Sequence, residues 1–207
     1  MILRKFLQPD NNHTKLVQFI TGTFPMPLGE AENIASKFEQ RHFLKGEYFL
    51  KQGKTCNEYY FLADGYARSY THDLDGNDVT TAFYGSGQIV CELFSFFKRQ
   101  PSKENITSLT QCDAWCLSFD KLQEIFHAMP LFREFGRAIL VNAYAGLKTR
   151  MMSMLQETAE ERYTQLLKSN PGIFQHAPLK QIASYLGVTD TSLSRIRKEF
   201  AKNNPVG

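Results

Sequence analysis

The apolar positions change texture three times along the chain. Up to about residue 42 they recur in short helical patches: Leu16, Phe19 and Ile20, then Ile34, Ala35 and Phe38, on either side of a turn at FPMPLG. That spacing predicts a mainly helical start. From Phe43 onward the apolar residues sit in strand-length segments rich in Tyr, Phe, Thr and Val. EYFL, EYYFLADG, YARSYTHD and VTTAFY are such segments, and Ile106 to Thr110 and Ala114 to Ser118 continue the series, punctuated by Gly46, Gly53, Gly65, Gly76, Gly85 and Gly87. Short strands so spaced predict an antiparallel roll or barrel and not a parallel sheet. DLDGND supplies a hairpin connection in which Gly76 can take a positive φ.

At Phe119 the helical period returns. Phe119, Leu122, Ile125, Phe126 and Met129 form one helix that Pro130 closes. A long helix then runs from Leu131 to about Gln156, with Phe132, Phe135, Ile139, Leu140, Ala143, Leu147, Met151, Met154 and Leu155 covering more than one face. A helix lying on one sheet needs a single apolar stripe. The second stripe calls either for a copy of itself in a homodimer, through Phe135, Ile139, Ala143, Leu147, Met151 and Met154, or for another surface of the same chain. ETAEERYTQLLKSNPG reads as a further helix, acidic at its start and ended by Asn170-Pro171-Gly172.

The last texture is Ala177 to Lys202, two short helices around a tight turn. Leu179, Ile182, Ala183 and Leu186 repeat at helical spacing, and Gly187 stops that helix where a left-handed residue costs little. Val188 plugs the corner. Thr189 or Asp190 can cap the next helix through a side-chain oxygen. There Leu193, Ile196 and Phe200 form the buried row, while Ser192, Arg195, Lys198 and Glu199 lie away from it. The pattern is that of a helix-turn-helix whose second helix enters the DNA major groove; an ordinary helical hairpin packed on a core would share it.

Charge sharpens that choice. The 207 residues carry a net +3. From residue 178 onward Lys180, Arg195, Arg197, Lys198 and Lys202 face only Asp190 and Glu199, so the entire excess lies in the terminal helices. A polyanionic partner favours such a placement. Length and apolar content allow one large domain or two modest ones, and no run approaches a membrane span. MILRKFLQPDNN lacks a sustained apolar stretch and a small-residue cleavage site, so no signal peptide is expected. Cys56, Cys91, Cys112 and Cys116 show no zinc-type spacing, which points to a reduced, cytoplasmic protein. Cys112 and Cys116 would face the same way on one strand, roughly 13 Å apart and too far for a disulfide.

A roll, a long helix, a short helix and a helix-turn-helix, in this order and at this length, resemble the CRP/FNR family of bacterial transcription regulators. GEYFLKQG leading into YYFLADG, the segment IVCELFSFF, and GVTDTSLSRIRKEF carry the resemblance. It implies an α+β chain. Residues 1–130 would form an antiparallel, jelly-roll, cyclic nucleotide-binding-like sensor with flanking helices, and 131–156 a dimerisation helix. Residues 157–207 would form a small winged-helix-like head. Only AKNNPVG follows Phe200, so the wing is expected to be reduced or absent. The resemblance further implies double-stranded DNA, a second copy of the chain and RNA polymerase as partners, with no membrane. Thr189, Thr191, Ser192, Ser194, Arg195, Arg197 and Lys198 are the expected DNA-binding residues, Arg195 matching a base-reading arginine that pairs with guanine.

In that family a Gly-Glu-Leu run and a downstream Arg-Ser or Arg-Thr pair grip a cyclic nucleotide. Here the run reads Cys91-Glu92-Leu93, and the pair falls on Ser102-Lys103. Glu92 matches the ribose-binding carboxylate. The phosphate-binding guanidinium is absent, and lysine does not replace its fork. Phe83, Cys91, Glu92, Leu93, Ser102 and Lys103 are expected around the effector pocket, with Phe94, Phe96 and Phe97 filling it. The effector is unknown and cyclic AMP is disfavoured. No metal or iron–sulfur cluster is expected, since no cysteine precedes Cys56, and haem would have only His42, His72 or His127 as axial ligands. Two other readings compete: a sensor or interaction module without specific DNA binding, and a cupin-type enzyme. The second is opposed by the scatter of His13, His42, His72, His127 and His176 and by the lack of any nucleophile–base set.

Overall fold

The computed structural model describes residues 11–203. The expectations drawn from residues 1–10, no cleavable leader, and from 204–207, no wing, lie outside the described residues. Two helices, α1 (Asn11–Thr23) and α2 (Leu28–Ala35), open the fold. Eight strands follow: β1 (Glu39–Phe43), β2 (Tyr48–Leu50), β3 (Glu58–Asp64), β4 (Ala67–His72), β5 (Asp78–Tyr84), β6 (Gln88–Val90), β7 (Asn105–Ser108) and β8 (Cys112–Ser118). A short helix, α3 (Leu93–Lys98), interrupts them between β6 and β7.

The strands pair antiparallel into two four-stranded sheets, ordered β1-β8-β3-β6 and β2-β7-β4-β5. The roll is therefore as expected, with two strands added. β1 begins at Glu39, inside the stretch read as helical. It is an edge strand with four exposed residues in a row, so its sequence lacks the alternation that marks a strand. β6 has three residues, too few for a period to show.

The turns follow from local chemistry. Between β4 and β5, Asp73 Oδ1 accepts from the backbone N–H of Asp75 at 3.0 Å and of Asn77 at 2.8 Å, and Gly76 takes φ +82°. Between β3 and β4, Gly65 takes φ +98°, and a Cβ there would lie 2.5 Å from the Gln111 carbonyl oxygen. Only glycine fits that crossing.

Two apolar clusters result. The larger fills the roll with Phe61, Leu62, Val90, Phe96, Ile106 and Leu117, and takes in α1 through Leu16, Val17 and Ile20. The helices after the roll are α4 (Phe119–Ala128) and α5 (Pro130–Gln156). The first turns of α5 enter this core: Phe135 rings Phe19 at 6.0 Å, and Phe19 packs on Phe61 at 4.8 Å. Beyond Ile139 the same helix leaves the roll, and its apolar residues come to the surface.

The described residues end in four helices, α6 (Ala159–Ser169), α7 (Ile173–His176), α8 (Leu179–Leu186) and α9 (Asp190–Asn203). A capping box of Thr158 and Glu161 starts α6, satisfying two otherwise unpaired N–H donors. The second cluster joins Tyr163, Leu166, Ile173, Ile182, Leu186, Leu193 and Ile196 to Phe83 and Leu109 of the roll. Two residues of the roll thus extend the core of the head.

Candidate nucleic-acid interface and sensor groove

α8 and α9 form the expected helix-turn-helix. Gly187 sits in the left-handed region at φ +70° and ends α8, while Thr189 Oγ1 accepts from the Ser192 N–H and caps α9. Thr189 is therefore the cap and Asp190 the first helical residue. Burial of Leu193 and Ile196 against Ile182, Ala183 and Leu186 fixes the roll of α9 about its axis, each side chain contributing about 1.5–3 kcal/mol. Phe200 packs on Tyr163 at 5.4 Å. One member of the expected row departs: Leu179 is 38 % exposed, because it opens α8 at the far end from the packed turn.

With that face buried, Thr189, Thr191, Ser194, Arg195, Arg197 and Lys198 are all exposed. Ser192 is half-buried and its Oγ accepts from the Thr189 hydroxyl at 3.0 Å, so the cap occupies it. Among the described residues, Arg195, Arg197 and Lys198 form no salt bridge. With Lys202 they put four cations on one helix, opposed there only by Asp190 and Glu199, a surface suited to a phosphate backbone and to guanine edges.

α8 faces the other way, onto the roll. Ser184 Oγ accepts from the Thr80 N–H at 2.8 Å, and Tyr185 packs on Phe83 at 5.1 Å. Tyr66 stacks on His176 at 4.6 Å, and its hydroxyl stands where a Cβ on Gly172 would be. From α5, Arg150 lies over the Tyr185 ring and donates to the Tyr185 carbonyl. Arg162 donates through Nε and Nη2 to the Leu186 carbonyl at 3.1 and 2.9 Å, holding the end of α8. Met154 of α5 touches Gly187 at the turn itself. α8 is thereby braced by the roll and by α5 together.

The expected effector residues divide. Phe83, Cys91 and Leu93 do line one groove, about 560 Å³, that runs between β5–β6 and the α5 residues Ile139, Asn142 and Ala143. The other three are elsewhere. Glu92 is not available to a ribose: its carboxylate caps α3, accepting from the N–H groups of Phe94 at 3.1 Å and Ser95 at 2.8 Å. Ser102 is buried and bonded within its own loop, to the Glu104 carbonyl and N–H. Lys103 is exposed. The phenylalanines do not fill the groove either. Phe94 and Phe97 are exposed, while Phe96 is buried between Tyr59 and Phe119.

Glu104 went unnoticed in the sequence. Its carboxylate accepts from the Ser69 hydroxyl, which in turn accepts from Thr81 at 2.9 Å. Burial, with the Glu104 charge as the next cause, pushes the Tyr84 phenol well above its ordinary range. This interior therefore holds a negative charge, which repels a phosphate that a guanidinium would attract. The Arg68 guanidinium pairs with Asp78 at 2.8 Å, and Phe83, its cross-strand neighbour, packs on the head. Among the described residues no group of three or more His, Cys, Asp and Glu comes together to hold a metal.

The dimer residues also divide. Phe135 is 2 % exposed and belongs to the roll core, and Ile139 packs against it; both were expected at the interface. Ala143 is half-buried at the groove. The exposed apolar row is Leu140, Tyr144, Leu147, Met151 and Met154, spaced alternately four and three apart as in a coiled-coil seam. Tyr144 was missed because an aromatic residue with a hydroxyl does not register as an apolar seam position. The alternating spacing was the signal.

Residues 40–129 match the family model described as "Cyclic nucleotide-binding domain". The chain is 22 % identical over 189 residues to the fumarate and nitrate reduction regulatory protein of Yersinia pestis, covering 86 % of this chain and 74 % of that one. It is similar in fold to the c-di-GMP-responsive global regulator CLP of Xanthomonas campestris, with a TM-score of 0.67 at 17 % identity over 87 % of this chain and 96 % of that one. FixK2 of Bradyrhizobium japonicum gives 0.68 at 17 %, covering 82 % and 87 %. No described helix is long and apolar enough to cross a membrane. Residues 40–129 thus form a cyclic nucleotide-binding-like domain, and with its roll, long helix and helix-turn-helix the chain is similar over most of its length to CRP/FNR-type transcription regulators.

Proposed function

We propose that two copies of this chain associate through the Leu140–Met154 seam and present their α9 helices to two half-sites of an inverted-repeat DNA, roughly 34 Å apart. The observation that carries this reading is the exposed face of α9, where Arg195, Arg197 and Lys198 form no ion pair among the described residues while Leu193 and Ile196 hold the helix in place. Residues 1–130 would then sense, 131–156 dimerise and 157–207 read. Thr191, Ser194 and Arg195 face base edges in this arrangement, and Thr189, Arg197 and Lys198 face phosphates. RNA polymerase is the partner to which the bound dimer would relay its output, in the cytoplasm.

The groove between the roll and α5 is the effector site in this reading, through Phe83, Cys91 and Leu93. Its ligand is a small molecule other than a cyclic nucleotide. Support comes from the carboxylate of Glu104 in the roll interior and from Glu92, whose oxygens cap α3. Any ligand acts by favouring one of two arrangements of α5 and the heads.

The test is equilibrium binding to a library of inverted-repeat duplexes across a range of salt. A selected sequence bound far more tightly than bulk duplex, with affinity falling steeply as salt rises, supports the reading. Equal, weak binding to every duplex by an intact dimer at physiological salt would sink it and favour an interaction module.

A further inference from the structure

Two cysteines that are 35 residues apart in the chain meet in the roll. Cys56 Sγ and Cys91 Sγ lie 3.9 Å apart. Each sulfur has its own approach. Cys56, only 4 % exposed, lines a surface cavity of about 310 Å³ that also carries Lys51 and Lys54. Cys91 lines the groove against α5. Cys112 and Cys116 have no such arrangement. Both are buried on β8, and the Cys112 thiol points to the Tyr66 carbonyl at 3.3 Å.

The two meeting thiols are chemically unequal. The hydrogen bond from Cys91 holds the Cys56 thiol below the ordinary thiol range despite its burial, helped by the backbone at Glu92 and Glu58. Burial pushes the Cys91 thiol well up, and its bond to Cys56 pushes it further. One thiol is set to ionise and attack, and the other to keep its proton until it resolves the product.

We propose that Cys56 and Cys91 form a reversible intrachain disulfide, a modification site at which the sensor roll reacts with hydroperoxides. The Cys56 thiolate attacks one oxygen of hydrogen peroxide. An S–O bond forms, the O–O bond breaks, and the departing hydroxide takes up a proton as water. The Cys91 sulfur then attacks the sulfenic sulfur. The S–S bond forms, the S–O bond breaks, and the Cys91 proton leaves with that oxygen as a second water. Two electrons pass from the thiols to the peroxide.

The bond has a mechanical consequence. Its length of about 2.05 Å requires the two sulfurs to close from their present separation. Cys91 leads directly into Glu92, the cap of α3, and Cys56 is tied to the same helix: its N–H donates to Ser95 Oγ and its carbonyl accepts from Arg99 Nη1, both at 2.9 Å. Closure therefore moves the start of α3. Leu93 in that first turn lines both the groove and a second apolar cavity of about 130 Å³ against Ile139 of α5. Oxidation alters the seat of α5. This consequence rests on the reading of α5 and α9 as a dimer-forming, DNA-reading unit; the thiol chemistry does not.

The experiment is peroxide treatment of the reduced full-length protein, followed by non-reducing digestion and mass spectrometry. The expected result is loss of two of the four free thiols, a drop of about 2 Da in intact mass for the two hydrogens removed, and a Cys56 peptide linked to the Cys91 peptide within one chain. Dithiothreitol should restore both thiols. Cys91→Ser should instead trap a dimedone adduct on Cys56, and Cys112→Ser and Cys116→Ser should form the same link as the native chain. Linkage through Cys112 or Cys116, linkage only between chains, or sulfinic acid at Cys56 with no link would overturn the proposal. DNA binding by the same samples separates the two claims. A formed link with unchanged DNA affinity keeps the modification site and removes its coupling to α5, and absence of DNA binding in reduced protein removes only the DNA reading.

Discussion

The guanidinium of Arg150 lies 3.7 Å from the centre of the Tyr185 ring, and its Nη2 donates to the Tyr185 carbonyl at 3.0 Å. One side chain of α5 thereby holds α8 by its ring and by its backbone. Tyr185 also packs on Phe83 of β5, so the roll, the long helix and the terminal helices meet at one aromatic ring. A rotation of α5 cannot occur without either carrying α8 with it or breaking this contact.

Arg150→Ala should therefore loosen the head while leaving the roll intact. A charged hydrogen bond and a ring contact are lost, which together amount to about 1–3 kcal/mol. Hydrogen exchange should quicken selectively in α8 and α9. Unchanged protection there would mean that Phe83 and Ser184 hold the head without Arg150.

Leu147→Glu places a charge in the centre of the exposed seam, where its counterpart in a second copy would face it. Sedimentation should show monomers with an unchanged circular dichroism spectrum, since Leu147 makes no part of either core. DNA affinity should fall by about 10²-fold or more as the second head becomes independent. Phe135→Ala makes the contrasting variant. It removes a fully buried ring and should cost about 3–5 kcal/mol of stability, read as an earlier midpoint in denaturant.

On α9 two substitutions should behave differently. Arg195→Ala should relax sequence preference at one base pair by about 1–3 kcal/mol with fold and dimer unchanged. Lys198→Ala should weaken binding to all duplexes alike and lower the salt slope by about 1. If Arg195→Ala retains full specificity, base reading lies elsewhere on the head.

The pH dependence of thiol alkylation offers a third kind of test. Because the Cys91 hydrogen bond is the leading cause of the lowered Cys56 value, the reactive thiolate of Cys56 should persist to lower pH than an ordinary thiol does. In Cys91→Ala, which removes the donor, the alkylation midpoint of Cys56 should move to higher pH. Identical midpoints in the two proteins would remove the thiol–thiol hydrogen bond from the account.

Gly65→Ala tests the fold at its tightest crossing. A side chain at φ +98° is strained whatever its surroundings, and this one would also meet the Gln111 carbonyl. The melting temperature should fall by an amount corresponding to about 1–3 kcal/mol or more, whereas Gly76→Ala, with open space around it, should cost less.

What the sequence determined by itself is everything that repeats over a few residues. The strand segments EYYFLADG and VTTAFY, the long helix from Leu131 to about Gln156, the stop at Gly187 and the buried pair Leu193 and Ile196 are all written in local periodicity and in turn chemistry. The same holds for the excess of cations on α9. These features depend on neighbours at i+2, i+3 or i+4, and such neighbours are adjacent in the chain.

The tertiary structure decided what depends on distant partners. Periodicity marks Phe135, Ile139 and Leu147 alike as apolar, and only the roll's extent shows that the first two are covered and the third is exposed. Glu92 has the right residue type for a ribose, yet the start of α3 turns its carboxylate to its own backbone. Phe83 faces Tyr185 because a bulge near Ser69 and Tyr70 shifts the register of β4 on β5, and no count of alternating residues reveals a bulge. Cys56 and Cys91 carry no spacing signal at all. They meet because β3 and β6 pair in one sheet, and pairing between strands is a property of the folded chain and not of any segment within it.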